Sequence, residues 1–393
     1  MPDPSQLRLS LHDSIHLIHR ADWEAVAKDA VLYLHYDVLC ALENAMAGRM
    51  AFRYAVFFDP QFRPVGVACF QLLDLQDNGS DYGAAVRTLG AAIGSRIVRE
   101  LKVSTLVCGN AFHCGDHGAH FVAGISAGEQ RRALELAMEQ LRADERLDPK
   151  VAVLLFKDLR PDQLEVAQVL EEKGYHPLAM DVNMVLDIDP TWKDLEGYQA
   201  ALTAKARTRV RAILGRSAGV EIRDLSAGEI QQEVAALQTL FDHVLARAPF
   251  LFGRLNVAVY ARWKELLGDQ LIFHGYYIGG QLVGFNAAFV LGDVLDAQFV
   301  GIDYARNQDH LLYQRMLLDL LEVALARGLH RINLGRTAEQ AKSALGARPV
   351  GLLFYVKHRN RVANRIIGPF IRRVEPAVFE QRWPFRKGTV WRS

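Results

Sequence analysis

The densest run of reactive side chains in the sequence is Cys108-Gly109-Asn110-Ala111-Phe112-His113-Cys114-Gly115-Asp116-His117-Gly118-Ala119-His120. Five Cys or His residues in so short a stretch raise the possibility of a zinc site. No second Cys/His pair with structural-zinc spacing occurs elsewhere, so no metal is expected. The glycines instead predict a polar loop on the C-terminal edge of a strand, a place where ligands often bind. His113, Asp116 and His117 are then candidate general bases, because imidazole titrates near neutral pH, with Asn110 as a candidate binding group. The structural alternative is a turn stabilised by Asn110 and Asp116. Asn286 and Gln298 are amides inside apolar strands. Each must either bond a neighbour or face a substrate cleft.

The composition bounds what such residues can serve. A chain of 393 residues exceeds the usual size of one core, so two domains are expected. Half the residues are hydrophobic and 46 basic residues nearly balance 45 acidic ones. That balance gives no global attraction to nucleic acid. Cys40, Cys69, Cys108 and Cys114 fall in no paired framework, which fits a reducing compartment. The first twenty residues lack a basic start followed by an apolar stretch, so no secretory signal is expected. No run approaches the roughly 20 apolar residues of a membrane-spanning helix. A cytoplasmic protein is expected.

The elements alternate. In the first half, residues 53–59 and 65–73 read as a hairpin, 84–101 as a helix, 105–109 as a strand and 127–143 as a long helix. A strand at 150–156, a helix at 161–173 closed by Gly174 and a strand at 176–188 follow. In the second half, 271–278, 281–291 and 294–301 read as three strands joined by Gly279-Gly280 and Gly292-Asp293, an antiparallel meander. Asp309 is expected to cap the next helix and Gly328 to end it, before a strand at HRINLG. The boundaries expected are 1–188, 189–360 and a basic extension, 361–393.

Between the halves, residues 197–220 contain no acid but hold Lys205, Arg207, Arg209, Arg211 and Arg216. Leu202, Ala206, Val210 and Ile213 give this segment one apolar face, so it reads as a basic amphipathic helix. It resembles the helix that opens the second domain of GNAT-fold proteins of the Fem type, including relatives described as cellulose-biosynthesis acetyltransferases. The resemblance continues through Gly279 to Gly284, Gln298 to Asp303, His310 to Tyr313, and Gly335-Arg336-Thr337 with Lys342 and Gly346 to Val350. It covers about residues 195–355. It implies an α/β fold of two GNAT-like domains with mixed, mostly antiparallel sheets, the first degenerate. It also implies an N-acyltransferase with acyl-CoA as co-substrate and no resident cofactor.

The simpler family members hold the coenzyme pyrophosphate on a Gly-rich loop at a helix N-terminus. Here the equivalent stretch is Arg306-Asn307-Gln308-Asp309-His310-Leu311, without glycine, a degeneracy shared by Fem-type proteins, some of which use aminoacyl-tRNA. Asn307 and His310 remain candidate binding groups. Acyl transfer needs N–H donors for the tetrahedral oxyanion, which the strand end Phe299 to Ile302, with Val300 and Gly301, could offer. Asp303 either orients an amine or caps a helix. Tyr313 is either a proton donor to the departing thiolate or a core aromatic. Gly335, Arg336, Thr337 and Lys342 follow a strand end where a cleft would open, and the two cations are expected to meet phosphate or a lipid headgroup.

From Arg348 onward, eleven Lys or Arg stand against Glu375 and Glu380. Val362, Ile366, Ile367, Phe370 and Ile371 are spaced for one helical face, with Arg361, Arg365, Arg372 and Arg373 opposite. With Trp383 and Trp391, the stretch reads either as an attachment to anionic membrane or as a helix packed on the core. The leading expectation is acylation of the amine of a lipid or envelope precursor, a long-chain amino alcohol of ceramide type being one case. The alternatives are aminoacyl-tRNA-dependent extension of a peptidoglycan precursor and a binding module without activity.

Overall fold

The computed structural model describes residues 7–74, 104–144, 151–247, 253–374 and 378–386. The helix expected at 84–101 and Trp391 lie outside them. The first strands and helices are β1 (Arg8–His12), α1 (Arg20–Ala27), α2 (Tyr36–Ala45), β2 (Ala51–Phe58), β3 (Pro64–Asp74), β4 (Ser104–Cys108) and β5 (Ala119–Phe121). Then come α3 (Ala127–Ala143), β6 (Val153–Leu159), α4 (Leu164–Glu172) and β7 (His176–Asp187). α3 starts where the sequence requires it, because Ser126 and Glu129 form a reciprocal capping box.

The second half supplies α5 (Leu195–Ala201), α6 (Ala204–Arg216), β8 (Glu221–Asp224), α7 (Ala227–Gln232), α8 (Val234–Leu245) and α9 (Val259–Leu267). The meander follows as β9 (Leu271–Ile278), β10 (Gln281–Leu291) and β11 (Val294–Ile302). After it come α10 (Tyr304–His310), α11 (Leu312–Ala326), β12 (Arg331–Asn333), α12 (Glu339–Ser343), β13 (Arg348–His358) and α13 (Arg361–Ile371).

Two compact units form. Unit 1 comprises residues 1–181, 249–255 and 351–377; unit 2 comprises 182–248, 256–350 and 378–393. Both are discontinuous because strands leave one half of the sequence for the other: residues 353–358 of β13 pair with β6, and residues 185–187 of β7 pair with β12.

In unit 1 the strand order is β1-β2-β3-β4-β6-β13, antiparallel except for β4 with β6. Phe70, Leu106, Leu154 and Phe156 pack beneath Leu134, Met138 and Leu141 of α3 and Leu170 of α4. In unit 2 the order is β7-β12-β11-β10-β9-β8, antiparallel except for β11 with β12. One face of this sheet buries Ile272, Ala288 and Leu295 against Leu317 and Leu321 of α11. The other is aromatic, with Phe273 stacked on Phe285 and both close to Tyr260 of α9. Each unit thus carries one parallel pair inside a largely antiparallel sheet.

Among the described residues no helix is long and apolar enough to cross a membrane. The four cysteines are free.

Candidate active site

The parallel pair of unit 2 is short. β11 pairs with β12 only from Val294 to Asp296, opposite Arg331 to Asn333. Asn333 Nδ2 reaches Asp296 Oδ1 at 3.2 Å at that last step. Beyond it the strands part. The chain after β12 stays with β7, Leu334 donating to the Met184 carbonyl at 2.8 Å and Met184 donating to the Gly335 carbonyl at 3.0 Å. β11 meanwhile continues to Ile302 paired only with β10. Among the described residues, no strand pairs with the other edge of 297–302. Ala297, Gln298, Phe299 and Val300 are half-buried although the strand lies mid-sheet.

A bulge sharpens this opening. Asn286 faces Val300 and Ala288 faces Ala297, so Gln298 and Phe299 together oppose Ala287. The extra residue bends the strand and re-aims its groups. Gln298 accepts a hydrogen bond from Tyr260 (2.7 Å), while Phe299 packs on Phe241 at 4.9 Å, so two consecutive side chains both meet the layer of α8 and α9. Gly301 permits the same close packing, since a Cβ there would stand 2.3 Å from the Phe285 ring and 2.9 Å from Leu240.

Asp303 ends the strand as the cap of α10, accepting from the Ala305 N–H at 2.9 Å. The expected cap at Asp309 is therefore corrected: the segment 304–310 is itself a helix, and α11 begins after Leu311 in the left-handed region (φ 49°). Asn307 accepts from the Tyr313 N–H at 3.0 Å, and Arg216 of α6 donates to the carbonyls of Gln308 and Asp309. The groups that hold pyrophosphate in a Gly-rich loop are thus partly consumed by the protein's own side chains. His310 is half-buried, and its Nδ1 has no hydrogen-bond partner among the described residues. Burial, with the nearby Tyr304 and Glu339, raises the Tyr313 phenol above its usual value and keeps it protonated.

On the other side of the opening, Gly335, Thr337 and Ala338 have φ of 72°, 59° and 52°. A β-branched residue in that region is strained, and such strain gathers at ligand clamps and active sites. The half-buried Arg336 sits within this turn. Lys342 does not face solvent as expected for a phosphate contact. It is 4 % exposed, and its ammonium donates to the carbonyls of Gly335 and Arg336, closing the turn from inside.

Asn286 belongs to a buried network that the sequence did not disclose. Its Nδ2 donates to Tyr276 Oη at 2.6 Å and to Asp319 at 3.2 Å; the Tyr276 hydroxyl donates to Asp319 at 2.5 Å, and His274 Nδ1 lies 2.7 Å from the same carboxylate. Burial alone would raise the Asp319 carboxyl, but the hydrogen bonds from His274 and Tyr276 and the Arg315 charge bring it below its usual value. His274 and Asp319 are 45 residues apart in sequence. The one available signal was a polar residue on the apolar face of each element.

The remaining candidates, Asn110, His113, Asp116 and His117, lie in unit 1. Their loop follows β4 and returns at β5, with Gly118 so close that a Cβ would meet the Gly109 nitrogen at 2.5 Å. Asn110 accepts from the Phe112 N–H (3.0 Å), Asp116 pairs with the buried Arg131 (2.9 Å), and His117 Nε2 lies 3.1 Å from the Cys114 carbonyl. Beneath them a bulge in β6 buries Lys157 and Asp158 as an ion pair. Lys157 donates to the His113 carbonyl at 2.6 Å, and Asp158 accepts from the Gly115 N–H at 2.9 Å. His113 stacks on Tyr33 at 3.5 Å, and burial, with the charges of His117 and Lys157, holds its imidazole well below the ordinary value. Among the described residues no three His, Cys, Asp or Glu side chains converge as a metal site.

Comparison with known proteins bears on the split sheet. Residues 204–343 match the sequence family described as "Acetyltransferase (GNAT) domain". The match spans about a third of the chain, and it is to a GNAT acetyltransferase domain that this segment is similar. The matched GNAT segment contains α6, the whole meander, the split and Lys342. That likeness supports an acyltransferase, a class that acts in general between an activated acyl donor and an amine. The chain also shares its fold with the crystal structure of FemX, at TM-score 0.53 and 10% identity over 91% of this chain and all of that one. Two further structures align less closely. L-PGS from Bacillus licheniformis gives 0.49 at 11% identity, covering 86% of this chain and 96% of that one. A tandem GNAT protein from the clavulanic acid biosynthesis pathway gives 0.47 at 12%, covering 90% and 99%. No curated protein sequence matches the chain.

Proposed function

We propose that the chain takes an acyl group from an acyl-CoA thioester and transfers it to the amine of a lipid or cell-envelope precursor, a long-chain amino alcohol being one case. The observation that carries this reading is the parting of β11 from β12 beside a bulge, which leaves one backbone edge of 297–302 without a strand partner among the described residues. An extended thioester arm can add along such an edge as a strand would.

The neutral amine attacks the thioester carbonyl, the C–N bond forms, and the carbonyl electrons move to oxygen. N–H groups on the open edge of β11 receive that charge. Collapse expels the thiolate, which takes a proton from the Tyr313 phenol, and the proton lost by the new amide nitrogen passes through Asp303 or His310 to restore that phenol, so that one proton moves in all from amine to thiol. No acyl-enzyme is needed. The phosphates of the donor meet the exposed Arg209 and Arg211 of α6, because Asn307 already takes the Tyr313 N–H at the start of α11.

That same closed junction favours a second reading, in which the donor is an aminoacyl ester of tRNA and needs no pyrophosphate cradle. The purified chain, supplied with acyl-CoA and a panel of amines, should release free thiol only when an acceptor amine is present. Turnover with charged tRNA and none with any acyl-CoA would establish the second reading. Ligand binding without turnover of either donor would make the chain a binding module.

A further inference from the structure

The split sheet leaves a separate feature of unit 1 unexplained. A cavity of about 650 Å³ lies among α3, the turn after α4, the end of β13 and the start of α13. Six cations line it: Arg142, Lys173, Lys357, Arg359, Arg361 and Arg365. Its two carboxylates, Glu135 and Glu139, are already engaged. Lys357 lies 3.0 Å from the first and 2.6 Å from the second, and Arg142 lies 2.6 Å from Glu139. Arg359, Arg361 and Arg365 are exposed and have no acidic partner among the described residues. Four more cations than anions therefore face one cavity. The helix terminus itself is not the attraction, since Asn360 already accepts from the Val362 and Ala363 N–H groups.

The helix above the cavity is seated in one orientation. Ile371 is buried, Ile367 packs with it, and Asn364 is tied at both ends: its Nδ2 donates to the Gly174 carbonyl at 2.8 Å and its Oδ1 accepts from His358 at 2.9 Å. The apolar residues read from the sequence as one face are consequently divided. Ile367 and Ile371 turn inward, while Val362 and Ile366 stand outward at 69% and 54% exposure, followed one turn on by exposed Pro369. Arg361, Arg365 and Arg372 flank that crest, and Leu136, half exposed, stands at the cavity wall. An apolar crest beside unpaired arginines is complementary to a surface that is greasy below and anionic above.

We propose that this face of unit 1 docks on an anionic phospholipid surface, with a lipid phosphate held by Arg359, Arg361 and Arg365 and the Val362–Ile366 crest set at the headgroup boundary. The docking does not depend on which acyl donor unit 2 uses.

Co-sedimentation of the full chain with vesicles tests it. Phosphatidylglycerol mixed into phosphatidylcholine should capture the protein, with capture weakening as salt rises, and pure phosphatidylcholine should not. Replacing Arg361→Gln and Arg365→Gln together should weaken capture about 25-fold, at roughly fivefold per arginine near an anionic surface. Val362→Ser with Ile366→Ser should weaken it at least tenfold. Both pairs are exposed, so melting temperatures should stay at the wild-type value, which separates lost docking from lost fold. Equal capture by both vesicle types, or undiminished capture of the arginine variant, overturns the proposal. So does protection by inorganic phosphate that the arginine variant loses while the wild type ignores vesicles, since the cavity would then serve a soluble phosphate.

Discussion

The polar loop of unit 1 and the parted strands of unit 2 both stand beyond a short parallel pair, β4 with β6 and β11 with β12, and they use their polar groups in opposite ways. In unit 1 the groups that looked reactive bond one another: Asp116 holds Arg131, His117 meets the Cys114 carbonyl, and the Lys157–Asp158 pair supports the loop from below. In unit 2 Asp303, Asn307 and Lys342 are occupied in the same way, but His310 Nδ1 and, among the described residues, a stretch of backbone edge are left open. Crowded His and Cys residues marked a turn bonded largely to itself, whereas the site we propose is marked by missing strand pairing. Buried polar groups with internal partners are the rule in folded proteins, so only the second feature calls for a ligand.

This contrast can be broken most forcefully at Lys157. Replacing it with Met leaves Asp158 buried and uncompensated, and thermal melting should show a loss of about 3–5 kcal/mol. A loss below about 1 kcal/mol would mean the pair does not hold the loop. Tyr313→Phe is the counterpart in unit 2. Turnover should fall about 100-fold, the range of one general acid, with the melting temperature unchanged. Unchanged turnover removes the phenol from the reaction.

The pH dependence of stability separates the regions further. His113 has its folded pKa below its unfolded one, so below about pH 6.5 the unfolded state binds more protons. Stability is therefore full above that pH and falls as the pH drops, by up to about 1.4 kcal/mol per pH unit for this group. Denaturant melts at stepped pH should show a shallower slope for His113→Phe, which keeps a ring against Tyr33; an identical slope would place the proton elsewhere. The smallest effect is expected for His117→Gln, with turnover within about twofold of the parent. A tenfold loss there would bring the loop of unit 1 into the reaction.

Local signals were legible in the sequence and distant ones were not. The capping box at Ser126 and Glu129 fixed the start of α3, and the turns Gly279-Gly280 and Gly292-Asp293 fixed the meander, because each is decided by a few adjacent residues. The helix 304–310 escaped notice, since its end depends on Leu311 taking a left-handed conformation that no glycine or asparagine announces. Lys342 read as a phosphate ligand because its burial depends on how the turn at 335–338 folds over it. The return of β13 to β6 and the His274–Asp319 contact join residues far apart in sequence, and neither leaves a local trace. The strand end at Phe299 to Ile302 was expected to offer N–H donors. The bulge beside it comes from strand register alone.

The account rests on donor binding along the open edge of β11. Amide hydrogen exchange, followed with and without the donor that supports turnover, reads that edge directly. Protection should appear across 298–302 and at 335–338 when the donor is added. Unchanged exchange in both segments, under conditions where the acyl group is being transferred, would contradict the placement of the reaction in the split sheet.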